Sequence, residues 1–250
     1  MKLRVINSGF KTGKVNMETD IRLCESCVPN EMVLRFYRWQ PYCISLGANQ
    51  KIEEIDLEKS KQDKIDVVYR PTGGRAILHA EELTYSVIYP ITENTSFRNV
   101  YHEINLALIK GLTLYNSNLA TLELETQQPN FPSVYKEQLS TLCFAVPAKS
   151  EIKYGGRKLV GSAQKKMKNV LLQHGSILCG DHHLKIINYL KLAAEEADSM
   201  REELKNKTTE LASILNEEIN YLRLIECLTN GFTEHFKVEF EKAVLQESLS

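Results

Sequence analysis

One cysteine, Cys143, stands in the apolar stretch "STLCFAVP", and a lysine, Lys158, follows it through "KYGGRK". A cysteine attacks as thiolate, and its ordinary pKa of ~8.5 leaves only a small fraction ionised at neutral pH. A nearby ammonium stabilises that anion and makes the thiol a better nucleophile. Read from spacing alone, the pair is either such an activated nucleophile or a buried cysteine with a solvated lysine. A second constellation is "VYRPTGGRAILHAEELTYSV" (68–87), where Gly73 and Gly74 lie between Arg70 and Arg75, with Thr72 and His79 close in sequence. Paired glycines between strand-like runs make a turn, or they let a ligand lie against main chain. The third patch joins "LVGSAQ" (159–164) to "LLQHGSIL" (171–178). Gly161, Ser162 and Ala163 are small residues in strand context, which admit a ligand or another backbone. Gln173, His174 and Gly175 interrupt an apolar strand, as a site or as a buried, hydrogen-bonded histidine.

These residues need elements to hold them. Pro71 cannot donate to a sheet ladder and closes the strand Val67–Tyr69, while Tyr85–Tyr89 reads as the next strand. Tyr154-Gly155-Gly156-Arg157 is a two-residue hairpin turn pairing Glu151–Tyr154 with Arg157–Ser162. A further reversal at Lys165–Asn169 feeds Val170–Leu178. Shorter strand signals lie at Leu34–Trp39 and Leu122–Leu124. Asn16 is expected to cap a helix with Met17, Ile21, Cys24 and Val28 on one face. A second helix runs through Val100, Ile104, Leu108 and Leu112. A third carries Ile219, Leu222, Ile225, Leu228 and Phe232, and Asn230-Gly231 is expected to end it early. This order predicts an α+β fold, a mixed β-sheet flanked by helices, rather than a strict βαβ winding. Residues 1–192 read as the catalytic domain and 193–250 as a helical extension packed on it, with 193–207 a charged, solvated helix.

Composition narrows the function classes. A net charge of −1 over 250 residues gives no global field for nucleic acid or membrane. No apolar run approaches the ~20 residues that span a bilayer, and the opening Met1–Val5 reads as a strand rather than a signal peptide. The six cysteines, without secretory features, point to reduced thiols in a cytoplasm. Cys24 and Cys27 have the spacing of a redox or zinc pair, but no second pair exists and a helix encloses them, so they read as core cysteines. Asp181-His182-His183 reads as an exposed polar turn rather than a metal site. No metal or cofactor is expected.

Taken together, the three patches resemble the biotin/lipoate protein ligase superfamily, and within it the octanoyltransferase branch of Gram-positive type. The resemblance rests on "NMETD" (16–20), "LRFYRWQPYCISLGANQ" (34–50), "RPTGGRAILHAEELTYSV" (70–87), "CFAVPAKSEIKYGGRKLVGSAQ" (143–164) and "LLQHGSIL" (171–178). A tail, "TELASILNEEINY…GFTEHFKVEFE", extends it over nearly the whole chain. It implies that Cys143 is the acyl-carrying nucleophile and that Lys158 lowers its pKa. It further implies a ping-pong transfer, from octanoyl acyl carrier protein to a lysine of a lipoyl domain or glycine-cleavage H protein, in lipoate biosynthesis. Arg70, Thr72, Gly73, Gly74, Arg75, His79, Tyr85, Gly161, Ser162, Ala163, Gln164, His174 and Gly175 would form the substrate site. The incoming lysine must lose its proton, a service Lys158 could also perform. Tyr69, Leu78, Tyr85, Val87, Val160 and Leu172 are expected to wall the eight-carbon chain, each buried methylene contributing ~0.8 kcal/mol.

The chain departs from the family pattern at Ala80, where an Asp is usual, so a carboxylate partner for His79 is expected to be missing. Ala145, Ala148 and Ser150 also differ around the nucleophile. The alternatives are an ATP-dependent lipoate–protein ligase, an amidotransferase between lipoyl proteins, and a catalytically silent carrier-binding protein. Lys165, Lys166 and Lys168, with Lys149 and Lys153 near in sequence, form either a docking edge for acidic carrier proteins or a solvated basic turn.

Overall fold

A computed structural model of the protein describes residues 1–125 and 151–243. The chain opens with Lys2–Lys11 (β1), a crossover helix Gly13–Ser26 (α1) and Glu31–Trp39 (β2). Cys43–Leu46 (β3), Leu57–Gln62 (α2), Asp66–Tyr69 (β4), Ile77–His79 (β5) and Glu82–Pro90 (β6) follow. A long helix, Phe97–Tyr115 (α3), leads to Glu123–Leu124 (β7). After residues 126–150 come Ile152–Tyr154 (β8), Arg157–Met167 (β9) and Val170–Leu178 (β10). The C-terminal part holds Ala194–Lys207 (α4), Leu211–Leu215 (α5), Tyr221–Phe236 (α6) and Phe240–Ala243 (β11).

Among the described residues, eight strands form one sheet in the order β11-β1-β2-β6-β10-β9-β8-β7, and β4-β3-β5 form a second. β1 runs parallel to β2 and β11, whereas β2, β6, β10, β9, β8 and β7 pair antiparallel in turn. The sheet is therefore mixed, as the α+β expectation required. The hairpin at Gly155-Gly156 forms with both residues at positive φ, 54° and 75°. The next reversal is tighter than expected: β9 runs on through Lys165 and Lys166, and only Lys168-Asn169 turn.

Period-two alternation sorts the residues of β2. Leu34 and Phe36 fill the larger core with Leu108 and Leu112 of α3 and Leu228 and Phe232 of α6. Val33 instead packs with Leu23 and Cys24 of α1 on the opposite face, and Arg35 points there too. Burying a side chain such as Leu228 or Phe232 contributes about 1.5–3 kcal/mol, so α6 is held chiefly by this face. Leu211, Ile219 and Leu224 join the same core, and β11 adds a parallel edge to β1. α4, by contrast, buries only Met200 and Leu204.

Two helix expectations fail for one reason: a polar or small residue serves the packing rather than the helix end. Thr12, not Asn16, caps α1, its hydroxyl accepting from Val15 N. Asn16 is fully buried and donates its side-chain amide to the carbonyls of Lys11 and Arg38, tying the helix to the sheet. Asn230-Gly231 does not end α6, which continues to Phe236. A Cβ on Gly231 would lie 2.4 Å from Gly111 N, so this glycine is where α6 and α3 touch. Leu222, expected on the apolar stripe, is 73% exposed because the buried face runs through Leu224 and Leu228 instead.

Candidate active site

A cleft opens between the α1 face of the large sheet and the small sheet. Met17, Tyr37, Trp39 and Ile77 supply apolar wall, and Ser45, Arg70, His79 and His174 supply polar groups. The strand pair β9–β10 closes one side with Gly161, Ser162 and Ala163 against Gly175 and Ser176. An apolar pocket with a few convergent polar groups is the usual form of a small-molecule site.

The glycine loop is built by Arg70. This buried guanidinium donates to the carbonyls of Gly73 and Arg75 at 2.9 and 2.7 Å, and to the carbonyl of Ser45 at 2.9 Å. Arg70 thus braces the loop from beneath while still lining the cleft. Gly74 has φ 93°, a conformation that disfavours a side chain, and its carbonyl would sit 1.9 Å from a Cβ at Gly47. The loop is locked against the strand end at Ala48, whose N–H donates to the carbonyl of Thr72. Gly73 has no positive φ and is exposed with open space above it.

Two hydroxyl–imidazole–carboxylate chains enter the cleft from behind. In one, Ser45 Oγ meets His79 Nε2 at 2.7 Å, and His79 Nδ1 meets Glu82 Oε1 at 2.8 Å. Arg70 also donates to Ser45 Oγ, at 3.1 Å, so the Ser45 hydrogen is left to point at Nε2 and Nδ1–H points at Glu82. The ring of His79 stacks on Trp39, centroids 4.1 Å apart. Burial pushes the Glu82 carboxyl up, but the charge and hydrogen bond of His79 and the hydroxyls of Thr84 and Ser176 outweigh it and hold it below the usual range. The carboxylate expected to be lost with Ala80 is therefore present, supplied by Glu82 from the start of β6 rather than by the residue after the histidine.

In the other chain, Thr72 Oγ1 meets His174 Nε2 at 2.6 Å, and His174 Nδ1 lies 3.6 Å from Asp20 Oδ2. Asp20 is fully buried and already receives Arg35 Nη1 at 2.7 Å, Ser86 Oγ at 2.8 Å and Tyr37 Oη at 3.0 Å. Burial pushes Asp20 up, yet His174 and the Arg35 guanidinium hold it below the ordinary carboxylate range. His174 moves down from 6.5, chiefly through burial, with Arg70 and His79 adding positive charge against it and Asp20 opposing. It is a neutral histidine.

At the far side, the fully buried Lys158 pairs with Glu151 at 2.8 Å, and Glu151 Oε1 accepts from Ser162 N at 3.5 Å. Tyr85 is hydrogen-bonded to Ser162 Oγ at 2.7 Å and accepts from Gln173 at 3.1 Å. Gln164 donates to Gln173 in turn, at 3.4 Å. Burial pushes the Tyr85 hydroxyl up to about 12, so it stays a neutral hydrogen-bonding group. Cys143, with Ala145, Ala148, Lys149 and Ser150, lies outside the described residues.

The structure thus gathers Arg70, His79, Gly161, Ser162, Ala163, His174 and Gly175 on one cleft, with Thr72 and Tyr85 behind it. It does not bring the expected acyl wall there. Tyr69 is 46% exposed, Leu78 belongs to the core of the small sheet, and Val87, Val160 and Leu172 sit in the cores on the two faces of the large sheet. Met17, Tyr37, Trp39 and Ile77 are the apolar lining instead. Sequence reasoning also missed Asp20, Arg35, Ser45, Glu82 and Glu151. Arg35 carried a signal, because a lone charge in the apolar run "LRFYRW" must find a buried partner. His183 is not in an exposed turn: it is buried and bonded to Thr208 Oγ1 at 2.9 Å. Among the described residues no cluster of His, Cys, Asp and Glu could hold a metal. Cys24 is buried in α1, and burial pushes its thiol up to about 12.

Comparison with known proteins defines the class. Residues 12–233 match the family model for the lipoyl protein ligase A/B catalytic domain, and the chain belongs to that family. Among solved structures, a lipoate-protein ligase A bound with ATP shares the fold at TM-score 0.75 and 21% identity, over 99% of this chain and 90% of that one. The bipartite lipoate protein ligase of Thermoplasma acidophilum matches at TM-score 0.76 and 18% identity, over 99% and 88%. More particular is the likeness to proteins named octanoyltransferase LipM. That of Clostridioides difficile is 36% identical over 98% of this chain and 90% of its own. That of Staphylococcus aureus is 32% identical over 97% and 90%.

Proposed function

We propose that this protein is an acyltransferase that moves an octanoyl group onto a lysine of a lipoyl-type acceptor protein, in lipoate biosynthesis. The reading rests on relatives that are octanoyltransferases over nearly the whole chain. The observation that carries it further is the buried Lys158–Glu151 pair, which puts an ammonium on the strand whose next residues wall the cleft. In this reading Cys143 is the nucleophile, and the Lys158 ammonium favours its thiolate. Octanoyl acyl carrier protein donates the acyl group, which rests on Cys143 as a thioester. A lipoyl domain or glycine-cleavage H protein then accepts it as an amide. Thioester to thioester is nearly balanced and thioester to amide runs downhill, so no nucleotide is needed. The apolar lining of Met17, Tyr37, Trp39 and Ile77 holds the alkyl chain. The setting is a cytoplasm, consistent with free thiols at all five described cysteines.

Intact mass after incubation with octanoyl acyl carrier protein, without ATP, tests this. The wild-type chain gains one octanoyl group, and the C143S variant gains none under the same conditions and loses at least about a thousandfold in transfer rate. Transfer that requires ATP, or that persists in C143S, would assign the chain to the ligase chemistry instead.

A further inference from the structure

Beyond the cleft, β9 ends in a run of cations. Ala163 lines the cleft, and Lys165, two residues on, takes the same side of the strand about 7 Å further along. Pairing with β10 fixes the sides. Lys165 stands beside Leu172, which packs with Leu23 and Cys24 of α1, and Lys166 beside Leu171, which packs in the core under α3. Lys166 Nζ lies 5.8 Å from the centre of the Phe97 ring, within cation–π range, and that ring is 40% exposed. Lys168 holds the left-handed position of the turn at φ 52°, and Arg98 follows Phe97 in the first turn of α3. All four cations are exposed, and none of them has an ion-pair partner among the described residues. One exposed carboxylate, Glu93, lies on the loop that Ile91 N ties to the carbonyl of Asn169. Lys153, expected on this edge, is not part of it, since it pairs with Glu125. In a chain of net charge −1 this is a local excess of positive charge, set beside the cleft.

A lysine that comes to be acylated arrives as a cation, because its ordinary pKa is ~10.4. Unpaired cations beside the cleft repel it. A free lysine, or one in a neutral or basic peptide, meets that repulsion in full. A domain with carboxylates beside its lysine meets the rim with the opposite charge and brings the lysine in with it. We propose that Lys165, Lys166, Lys168 and Arg98 form the docking surface for the acceptor domain, and that they select domains whose lysine is flanked by carboxylates. This rests on the octanoyl-transfer reading above and deepens it, by naming the face the acceptor meets and the charge it must bring. Each exposed pair contributes a factor of only about 1.4 to 5, so the selection comes from several cations acting together. Phe97 adds an exposed apolar contact beside Lys166. Pairing of this kind acts over about a Debye length and weakens as salt is added.

Titration calorimetry with an unmodified lipoyl domain whose lysine is flanked by carboxylates tests this without any acyl group. The K165E/K166E variant should bind that domain at least about fivefold more weakly at low salt than the wild-type chain, and the gap should close as salt rises. K165Q/K166Q should show a smaller loss in the same direction. A lysine peptide without carboxylates should bind K165E/K166E no more weakly than wild type. Unchanged binding of the lipoyl domain in K165E/K166E overturns the proposal and leaves a solvated turn. An equal loss in K205E, on the charged helix α4, also overturns it, because net charge alone would then be at work. So does a loss for octanoyl acyl carrier protein as large as the loss for the lipoyl domain, which would make the surface no property of the acceptor. A wild-type chain that binds the lipoyl domain as described but never becomes acylated removes the transfer reading and leaves the docking surface standing.

Discussion

His79 and His174 stand on neighbouring sides of one cleft, each between a hydroxyl and a buried carboxylate, yet the two carboxylates are paired differently. Around His174, Arg35 is the counter-ion of Asp20, stacked over Tyr37 at 3.9 Å and bonded to Asn16 and Ser8. Asp20 thus already has a permanent cation beside it, and His174, its pKa lowered chiefly by burial, holds Thr72. Among the described residues, the imidazole of His79 is the one ion-pair partner of Glu82. The lesson is electrostatic. A buried carboxylate can rest on a guanidinium, as Asp20 does, or on an imidazole and neutral hydroxyls, as Glu82 does.

The comparison is broken most severely at Asp20. In D20N the buried Arg35 loses its counter-ion, and removing one partner of a buried pair costs about 3–5 kcal/mol. Denaturant unfolding should show that loss, whereas E82Q, which strands no permanent cation, should cost about 1.5–3 kcal/mol as weakened hydrogen bonds to a charged group. A D20N chain as stable as E82Q would mean that the two carboxylates are not differently built. The hydroxyls give a smaller contrast. T72V leaves His174 Nε2 buried without its hydrogen-bond partner, at a cost of about 1–3 kcal/mol read in the same unfolding curves. S45A strands His79 Nε2 in the same way, at a similar cost of about 1–3 kcal/mol, but leaves Arg70 its bonds to the Ser45, Gly73 and Arg75 carbonyls.

How much of this could be read in the sequence follows from range. The hairpin at Gly155-Gly156, the strand pair β9–β10 and the helix through Val100, Ile104, Leu108 and Leu112 are local patterns, and period and turn chemistry announced them. The residues facing the cleft from Arg70, His79, Gly161–Ala163 and His174–Gly175 were legible because family motifs mark them. What was not legible came from partners remote in sequence. Asp20 and Arg35 meet only because α1 crosses over β2, and Ser45 reaches His79 only because β3 pairs with β5. Glu82 was close at hand, but attention to the residue directly after His79 hid it, since the turn at Ala80-Glu81 is what brings the third residue round. The acyl wall failed for a related reason: alternation says that residues share a face, not which of two faces holds the cleft.

The least severe test distinguishes the histidines by protons alone. His174 has its folded pKa below 6.5, so between that value and the lower folded one the unfolded chain binds a proton that the native chain refuses. Stability from this source is complete above about pH 6.5 and is lost as pH falls, with a slope of at most about 1.4 kcal/mol per pH unit. Down to about pH 5 the ordinary carboxylates stay largely ionised, so the window belongs mainly to histidines. Unfolding curves at points across it should therefore decline more gently in H174Q than in the wild-type chain. Asp20 and Glu82 act lower: their depressed values add stability that disappears only as pH drops through and below the usual carboxylate range. If H174Q keeps the full wild-type slope between about pH 6.5 and 5, burial does not hold His174 neutral, and the electrostatic distinction between the two histidines loses its footing.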